Sequence, residues 1–282
     1  MQDIIELFYN IIKKIEAHTN YPIKIIAFDF DCTLIPFHTT GCYTIHNKDG
    51  SINSKIFKDF FPYPEVLKGF IYGLLEKGIQ PAITSHSDQR FNNCNIKDMV
   101  GGNNLIIPLM RELFQQDDIF NKNNVVAFSH PTDGTFTNKN THIKRLVQNL
   151  NDHDQYKIQN VLLIDDTINN IKCVDNFQSI FSNFRGSGLS FGCNLKSIKN
   201  YIEMLNKQVD IQIRDNYGFT CKDSNTFTEQ NVTDSKSNII ESNTKDTTTI
   251  TIHNGSRLIL VCGIMMVLMA CHLMIYNKNN LG

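Results

Sequence analysis

The sequence lacks any block of like charge and any closely paired cysteines. Its 27 basic side chains nearly balance 28 acidic ones, so no nucleic-acid partner is expected. The 8 cysteines never occur in a C-x-x-C spacing, which disfavours a zinc site and a redox pair. Scattered cysteines are more typical of a reducing compartment than of a disulfide framework.

The N-terminus also lacks the pattern of a secretory signal. Residues 1–20 instead repeat apolar side chains at helical spacing, interleaved with charged ones. We expect an amphipathic helix there, packed on the adjoining domain rather than lying on a membrane. Its apolar positions are Ile4, Ile5, Phe8, Ile11, Ile12 and Ile15.

The C-terminal part differs in composition from the rest of the chain. Residues 211–256 are expected to form a flexible polar linker, because Ser, Thr, Asn and Asp dominate from residue 221 onward and bury little surface. Residues 258–276 contain no Asp, Glu, Lys or Arg. At about 1.5 Å per residue they can cross about 30 Å of hydrocarbon. The segment 257–277 is therefore predicted to be a single-pass membrane anchor, with the preceding domain facing the cytosol.

Residues 21–210 alternate apolar, strand-like runs with helical patterns. This alternation indicates an α/β domain with a doubly wound parallel sheet that helices cover on both faces. Strands are expected at 23–28, 79–84, 125–128, 161–164 and, more weakly, 179–182. Helices are expected at 64–77, 104–115, 140–150, 168–175 and 195–206.

A small insert is expected between the first two of these strands. Its arms, 42–46 and 51–57, flank the turn-forming residues 47–50, which predicts a β-hairpin. The segment is too short to form a separate cap domain. A site at the edge of the sheet should therefore be essentially capless and open.

Acidic residues mark the end of the first strand. The run 25–28 is followed by Asp29 and Asp31, with Thr33 two residues further on. Residues two apart on a strand point the same way, so both carboxylates can leave the carboxyl edge of the sheet together. Ligands bind at that edge in open α/β sheets. Two anions so close together indicate a neighbouring cation or a charged substrate group.

Three later segments also place polar residues where a strand ends or a helix begins. The run 79–83 is followed by Thr84 and Ser85, and the run 161–164 is followed by Asp165 and Asp166. Between them, Lys139 begins a helical pattern. Taken alone, the pair at 165–166 also suits a helix N-cap followed by a carboxylate that the helix dipole favours.

Together these four segments resemble the four motifs of the haloacid dehalogenase superfamily of aspartate-nucleophile phosphotransferases. Within that superfamily the chain is most similar to the magnesium-dependent phosphatase-1 type. The similarity spans residues 20 to 206 and includes the stretches 63–67 and 139–146. It also includes the spacing of Asp165, Asp166 and Asn170.

The resemblance implies a role for each polar residue. Asp29 would attack phosphorus and become an aspartyl phosphate, and Asp31 would serve as general acid and then as general base. Thr33 would steady the loop that binds phosphate. Ser85, rather than Thr84, would donate a hydrogen bond to the phosphate. Lys139 would neutralise the phosphate and the carboxylates.

The resemblance also implies a Mg²⁺ ion. Its expected ligands are Asp29, the backbone carbonyl of Asp31, and Asp165. Asp166 would orient a metal-bound water or pair with Lys139.

The roles of the other polar residues near these motifs are less specific. His86 and Arg90 either contact the substrate beyond its phosphate or cap a surface loop. His142 is expected to be structural. Asn170 is expected to tie the fourth-motif loop to its helix.

These expectations describe a magnesium-dependent phosphomonoesterase held at a membrane. Its substrate would be a phosphorylated small molecule or protein. One alternative is a catalytically idle, phosphatase-like binding module at a membrane. Another is a protein serine or tyrosine phosphatase of the same superfamily.

Overall fold

The computed structural model describes residues 1–39, 42–86, 99–116, 118–128, 139–151, 155–182 and 189–220. Seven strands and seven α-helices follow one another along the described chain. The strands are β1 (Ile25–Phe28), β2 (Cys42–Tyr43), β3 (Gln80–Ser85), β4 (Val100–Gly101), β5 (Val125–Ala127), β6 (Val161–Asp165) and β7 (Gln178–Phe181). The helices are α1 (Gln2–Thr19), α2 (Ser54–Phe60), α3 (Pro64–Glu76), α4 (Asn103–Phe114), α5 (Lys139–Leu150), α6 (Ile168–Lys172) and α7 (Leu195–Arg214).

Five of these strands form one sheet in the order β5-β3-β1-β6-β7. Every pairing within it is parallel, and Ala27 at the centre lies between Ala82 and Leu163. From β1 the chain first adds strands on one side and then on the other. The carboxyl ends of β1 and β6 therefore flank the point where the strand order reverses, which is where ligands bind in open α/β sheets.

Helices cover both faces of this sheet, as expected. Alternate residues of β1 enter two different apolar cores: Ile26 and Phe28 pack in the larger, Ile25 and Ala27 in the smaller. The larger core also contains the buried faces of α1, α3, α4 and α7. The smaller contains those of α5 and α6. The near-continuous apolar character of the central strands follows from burial on both sides.

Helix α1 packs on the domain, which confirms the expectation for residues 1–20. Its six apolar positions from Ile4 to Ile15 are all buried. On its outer side, the Lys14 Nζ donates hydrogen bonds to Asn206 and Asp210 of α7, both at 2.8 Å. A helix that lay on a membrane surface would leave this apolar face free of protein contacts.

The prediction of a β-hairpin at 42–57 is wrong for its second arm, residues 51–57. Strand β2 pairs with β4 instead, and only one isolated bridge, between His46 and Ile52, closes the turn within the described insert. Helix α2 then begins at Ser54, because the Asn53 side chain accepts hydrogen bonds from the backbone N–H groups of Lys55 and Ile56. This N-cap favours a helix over continued pairing.

The expected start of the flexible linker at residue 211 is too early. Helix α7 continues to Arg214, eight residues beyond the expected end at 206. The chain then folds back onto β7, where the Ser179 N–H donates to the Gly218 carbonyl at 2.7 Å. The backbone N–H of Thr220 also donates to the Gln178 side chain at 3.0 Å. The ordered domain therefore includes residues 211–220.

No helix in the described ranges is both long and apolar enough to span a bilayer. The remainder of the expected linker and the expected anchor at 257–277 fall within 221–282, outside the described residues. Arg90 also falls outside them.

The close contact between α1 and α3 leads to a prediction about the stability of the domain. A Cβ added at Gly73 would lie 2.5 Å and 2.6 Å from two side-chain carbons of Ile5. We expect Gly73→Ala to lower the free energy of unfolding by about 1–3 kcal/mol, because the helices would have to separate. Urea denaturation measures this change.

Gly69→Ala, one turn earlier on α3, is the matched control. The atoms nearest to its Cβ would belong to the flexible Met1 side chain, at 3.3 Å. We expect this variant to keep or raise stability, because Ala favours a helix interior over Gly by about 1 kcal/mol. Equal destabilisation by both variants would contradict the packing argument.

Candidate active site

The candidate site lies where the strand order reverses. Asp29 directly follows β1, and its backbone N–H extends the strand pairing by donating to the Ile164 carbonyl at 2.9 Å. Asp165 is the last residue of β6. Strand alternation puts both side chains in phase with residues of the smaller core, on the face that α5 covers. The two aspartates therefore meet although 136 positions separate them in the sequence.

Lys139 joins these two carboxylates. It is the first residue of α5, and its side chain is 1% exposed. Its Nζ lies 2.6 Å from Asp29 Oδ1 and 3.2 Å from Asp165 Oδ2. It also donates a hydrogen bond to the backbone carbonyl of Thr84. One ammonium group therefore contacts the ends of β1, β3 and β6.

Three carboxylates form a cluster that could hold a metal ion. Asp29, Asp165 and Asp166 each offer an oxygen, and these oxygens lie within 4.8 Å of one another. Lys139 supplies one positive charge against three negative ones, so a divalent cation would complete the charge balance. Carboxylate oxygens suit hard cations such as Mg²⁺ and Ca²⁺. The residues present therefore fit a divalent cation.

Burial and charge act together on this cluster. Burial raises the pKa of Asp29 well above its usual value, Lys139 opposes that rise, and Asp165 adds to it. Burial alone would lower the pKa of Lys139, but the charges of Asp29 and Asp165 outweigh it and raise that pKa. The ammonium group is therefore held in its charged form.

Neighbouring residues fix the position of Asp165. Its Oδ1 accepts a hydrogen bond from the Thr167 N–H at 2.8 Å. Both of its carboxylate oxygens accept from the Asn170 Nδ2 at 3.0 Å. Asn170 thus ties the loop after β6 to α6, as expected.

Asp31 belongs to a separate environment. Its carboxylate accepts hydrogen bonds from the Thr39 N–H at 2.9 Å and from the Thr39 hydroxyl, and the His38 Nδ1 lies 3.0 Å away. Burial raises the pKa of Asp31, although the bonds from Thr39 and the charge of His38 oppose the rise. Among the described residues, its side chain is not one of the three clustered carboxylates. A metal contact from Asp31 would therefore come from its backbone carbonyl, as expected from the resemblance.

A sharp turn directly follows Asp31. Cys32 has a left-handed backbone, with φ of 57°, and its N–H donates to the Phe37 carbonyl at 3.1 Å. His38 and Thr39 are brought beside Asp31 by this loop. The sequence analysis missed both residues, because no motif in the sequence indicates how the chain folds back after the turn.

Thr33 lies inside the same loop. Its side chain is fully buried, and its hydroxyl has no hydrogen-bond partner among the described residues. Its backbone carbonyl accepts from the Phe191 N–H at 3.0 Å. This position suits a residue that steadies the loop.

The two hydroxyl residues that end β3 differ in accessibility. Thr84 is fully buried, and its Oγ1 has no hydrogen-bond partner within the described ranges. Ser85 retains 5% exposure at the carboxyl edge of the sheet. This difference favours Ser85 as the hydroxyl that contacts a ligand.

His86 follows Ser85 in the chain, and its ring contacts His142. The His142 ring is fully buried and stacks on Phe128 at a centroid distance of 4.3 Å, and its Nε2 lies 3.0 Å from the Phe128 carbonyl. The exposed His86 ring meets the edge of His142 at 4.6 Å. His142 is therefore placed as a packing residue, as expected, and it holds His86 at the edge of the site.

Comparison with known proteins assigns no family to the chain. Family models, curated proteins and solved structures all gave no match. The function of this protein is therefore inferred from its own residues and from the four motifs.

Proposed function

We propose that the chain is a magnesium-dependent phosphomonoesterase of the haloacid dehalogenase type, with Asp29 as its nucleophile. The main support is the buried ammonium group of Lys139, which bridges Asp29 and Asp165 at the point where the strand order reverses. A phosphate ester needs a nucleophile and positive charge around its transferring oxygens. Asp29 would supply the nucleophile, and Lys139 would supply positive charge.

In the first step a carboxylate oxygen of Asp29 attacks phosphorus, and the bond from phosphorus to the ester oxygen breaks. Asp31 gives its proton to the departing oxygen, so that an alcohol leaves. Burial raises the pKa of Asp31, which favours its protonated form and supports its role as an acid. Lys139 offsets the negative charge of the phosphoryl group, and the Ser85 hydroxyl donates a hydrogen bond to it.

In the second step water attacks the aspartyl phosphate. Asp31, now a carboxylate, takes a proton from that water, and the bond between phosphorus and Asp29 breaks. Inorganic phosphate leaves, and both aspartates return to their starting states. The hydrogen bonds from Thr39 keep the Asp31 carboxylate in place during these transfers.

Asp29, Asp165, Asp166 and the Asp31 backbone carbonyl are the residues that would hold Mg²⁺. The bound ion would offset negative charge on the phosphoryl oxygens and on the carboxylates. The three clustered carboxylates support this assignment, because one ammonium group alone leaves them with excess negative charge.

The size of the insert supports an open, capless site. Between the loop that follows β1 and helix α3, the described residues contain only a short strand, a turn and the seven-residue helix α2. Such a site would admit either a phosphorylated small molecule or a phosphorylated protein. His86 is exposed and follows Ser85, so it could contact the substrate beyond its phosphate.

We also propose that the domain is tethered to a membrane and faces the cytosol. The apolar, uncharged composition of residues 258–276 supports this tether. The polar residues from 221 to 256 would then separate the anchor from the catalytic domain.

Replacing the nucleophile tests the catalytic proposal. We expect Asp29→Asn to reduce hydrolysis of p-nitrophenyl phosphate by about 10³-fold or more, because the amide cannot form the covalent intermediate. The assay uses the full-length chain in mild detergent with Mg²⁺, and repeats it with EDTA. Asp118→Asn, at an exposed position, is the control and should retain full activity.

Two results would contradict this proposal. One is hydrolysis by Asp29→Asn at the unaltered rate. The other is a folded, Mg²⁺-loaded chain that hydrolyses neither p-nitrophenyl phosphate nor any member of a phosphoester panel, which would favour the idle binding module.

Metal binding is testable without catalysis. At a Mg²⁺ concentration ten times its dissociation constant, binding should stabilise the native state by about 1.4 kcal/mol. That corresponds to a rise in melting temperature of about 3–6 °C for a domain of this size. We expect the rise in the unaltered chain and in Asp118→Asn, and its loss in Asp166→Asn. An equal rise in all three would place the ion elsewhere.

The membrane tether is tested by fractionation. We expect the full-length chain to remain in the membrane pellet after an alkaline carbonate wash, because an apolar helix resists extraction. A chain that ends at residue 256 should appear in the soluble fraction. Protease added to intact vesicles should digest the domain. Full-length protein in the soluble fraction would refute the tether.

A further inference from the structure

A cavity lies beside the candidate active site. It is a groove of about 740 Å³ between the start of α4, strand β5 and the solvent-facing side of α5. We name it the β5 groove. Lys122, Lys144 and Arg145 contribute its charged side chains, and Phe128 and several amide side chains line the rest.

The charge of the β5 groove is of one sign. Its described lining contains three basic side chains and no Asp or Glu. Lys122, Lys144 and Arg145 are all exposed. None of the three has a carboxylate within salt-bridge distance in the described part of the chain. Unneutralised cations along one groove attract an anionic partner.

The start of α4 adds to this positive potential. Asn103 and Asn104 line the groove at the first turn of the helix, and the preceding Gly102 provides no side-chain cap. The positive end of the helix dipole therefore lies at the groove.

Within the groove, backbone groups on the outer edge of β5 already have a hydrogen-bond partner in the same chain. The Asn103 side chain donates to the Val125 carbonyl at 3.1 Å and accepts from the Ala127 N–H at 2.9 Å. Its carboxamide thus takes the place of a neighbouring strand. A partner would therefore be recognised by charge and side-chain contacts rather than by strand addition.

The groove adjoins the candidate active site in two ways. Lys144 and Arg145 lie on the helix that begins with Lys139, about 8–9 Å along its axis from that residue. Phe128 lines the groove and stacks on His142, whose ring meets His86. A ligand that reaches both regions would extend a short distance past a phosphorylated group at the site.

We propose that the β5 groove binds an acidic polypeptide segment that flanks the phosphorylated residue of a protein substrate. The assignment of that segment to a substrate rests on the proposed phosphatase function. Its binding does not require catalysis. Lys122, Lys144 and Arg145 pair with the Asp or Glu side chains of the segment.

Other features of the lining favour a peptide over a nucleic acid. The side-chain amides of Asn104 and Gln148 offer donors and acceptors for peptide backbone groups. The only aromatic ring in the described lining is Phe128, which is stacked on His142. One face of that ring is therefore already covered, which leaves little aromatic surface for stacking of bases.

Charge reversal tests this proposal. The variant combines Lys122→Glu, Lys144→Glu and Arg145→Glu in the full-length chain in mild detergent with EDTA. Fluorescence anisotropy measures binding of a labelled Glu-rich peptide and of the same peptide with Gln at every Glu. We expect the unaltered chain to prefer the Glu-rich peptide, and the variant to bind it about tenfold more weakly or worse.

A second triple variant serves as the matched control. Lys196→Glu, Lys199→Glu and Lys207→Glu change the net charge equally, at exposed positions of α7 on the opposite face of the sheet. This control should bind the Glu-rich peptide like the unaltered chain. Thermal unfolding should show that both variants remain folded.

Three results would overturn the proposal. They are equal binding of the two peptides by the unaltered chain, equal weakening in both triple variants, and tighter binding of a single-stranded oligonucleotide than of the Glu-rich peptide. Hydrolysis of p-nitrophenyl phosphate separates this proposal from the catalytic one. A chain that binds the acidic peptide through the groove but hydrolyses no phosphoester would refute the phosphatase function alone.

Discussion

The buried contact of Lys139 with Asp29 and Asp165 is the interaction on which the rest of the site depends. It joins the ends of β1 and β6 to the start of α5 through one ammonium group. A hydrogen bond to the Thr84 carbonyl also brings in β3. Without the ammonium group, the remaining carboxylates would repel one another in a buried environment. Loss of one partner from a buried ion pair costs about 3–5 kcal/mol.

The same contact explains how two nearby aspartates acquire different environments. Asp29 lies in the buried cluster with Lys139, whereas Asp31 is turned toward His38 and Thr39 beyond a left-handed residue. A nucleophile must be ionised, and a general acid must carry a proton. Burial raises the pKa of both carboxyl groups, and at Asp29 the charge of Lys139 opposes that rise and favours the ionised form that a nucleophile needs.

Local patterns in the sequence predicted the strands of the main sheet and the polar residues at their carboxyl ends. Continuous apolar runs indicated the buried strands, and Asp29, Ser85 and Asp165 follow or end them as expected. The second arm of the hairpin was wrong because the cap at Asn53 favours a helix. The end of α7 was placed too early because long-range contacts stabilise its last turns. In one of them, the Gln212 side chain donates to a carbonyl of β7.

The α/β class, the parallel strands and the polar residues at their carboxyl ends could all be predicted from the amino-acid sequence alone. These follow from apolar periodicity and from the need to bury strands on two faces. The resemblance to known motifs implied that Lys139 lies with the carboxylates, but the individual contacts of Lys139 and of Asp31 come from the tertiary structure. Lys139 and Asp29 are 110 residues apart, and His38 reaches Asp31 only because the chain turns sharply at Cys32. Such contacts depend on strand order and helix packing, which local sequence patterns do not encode.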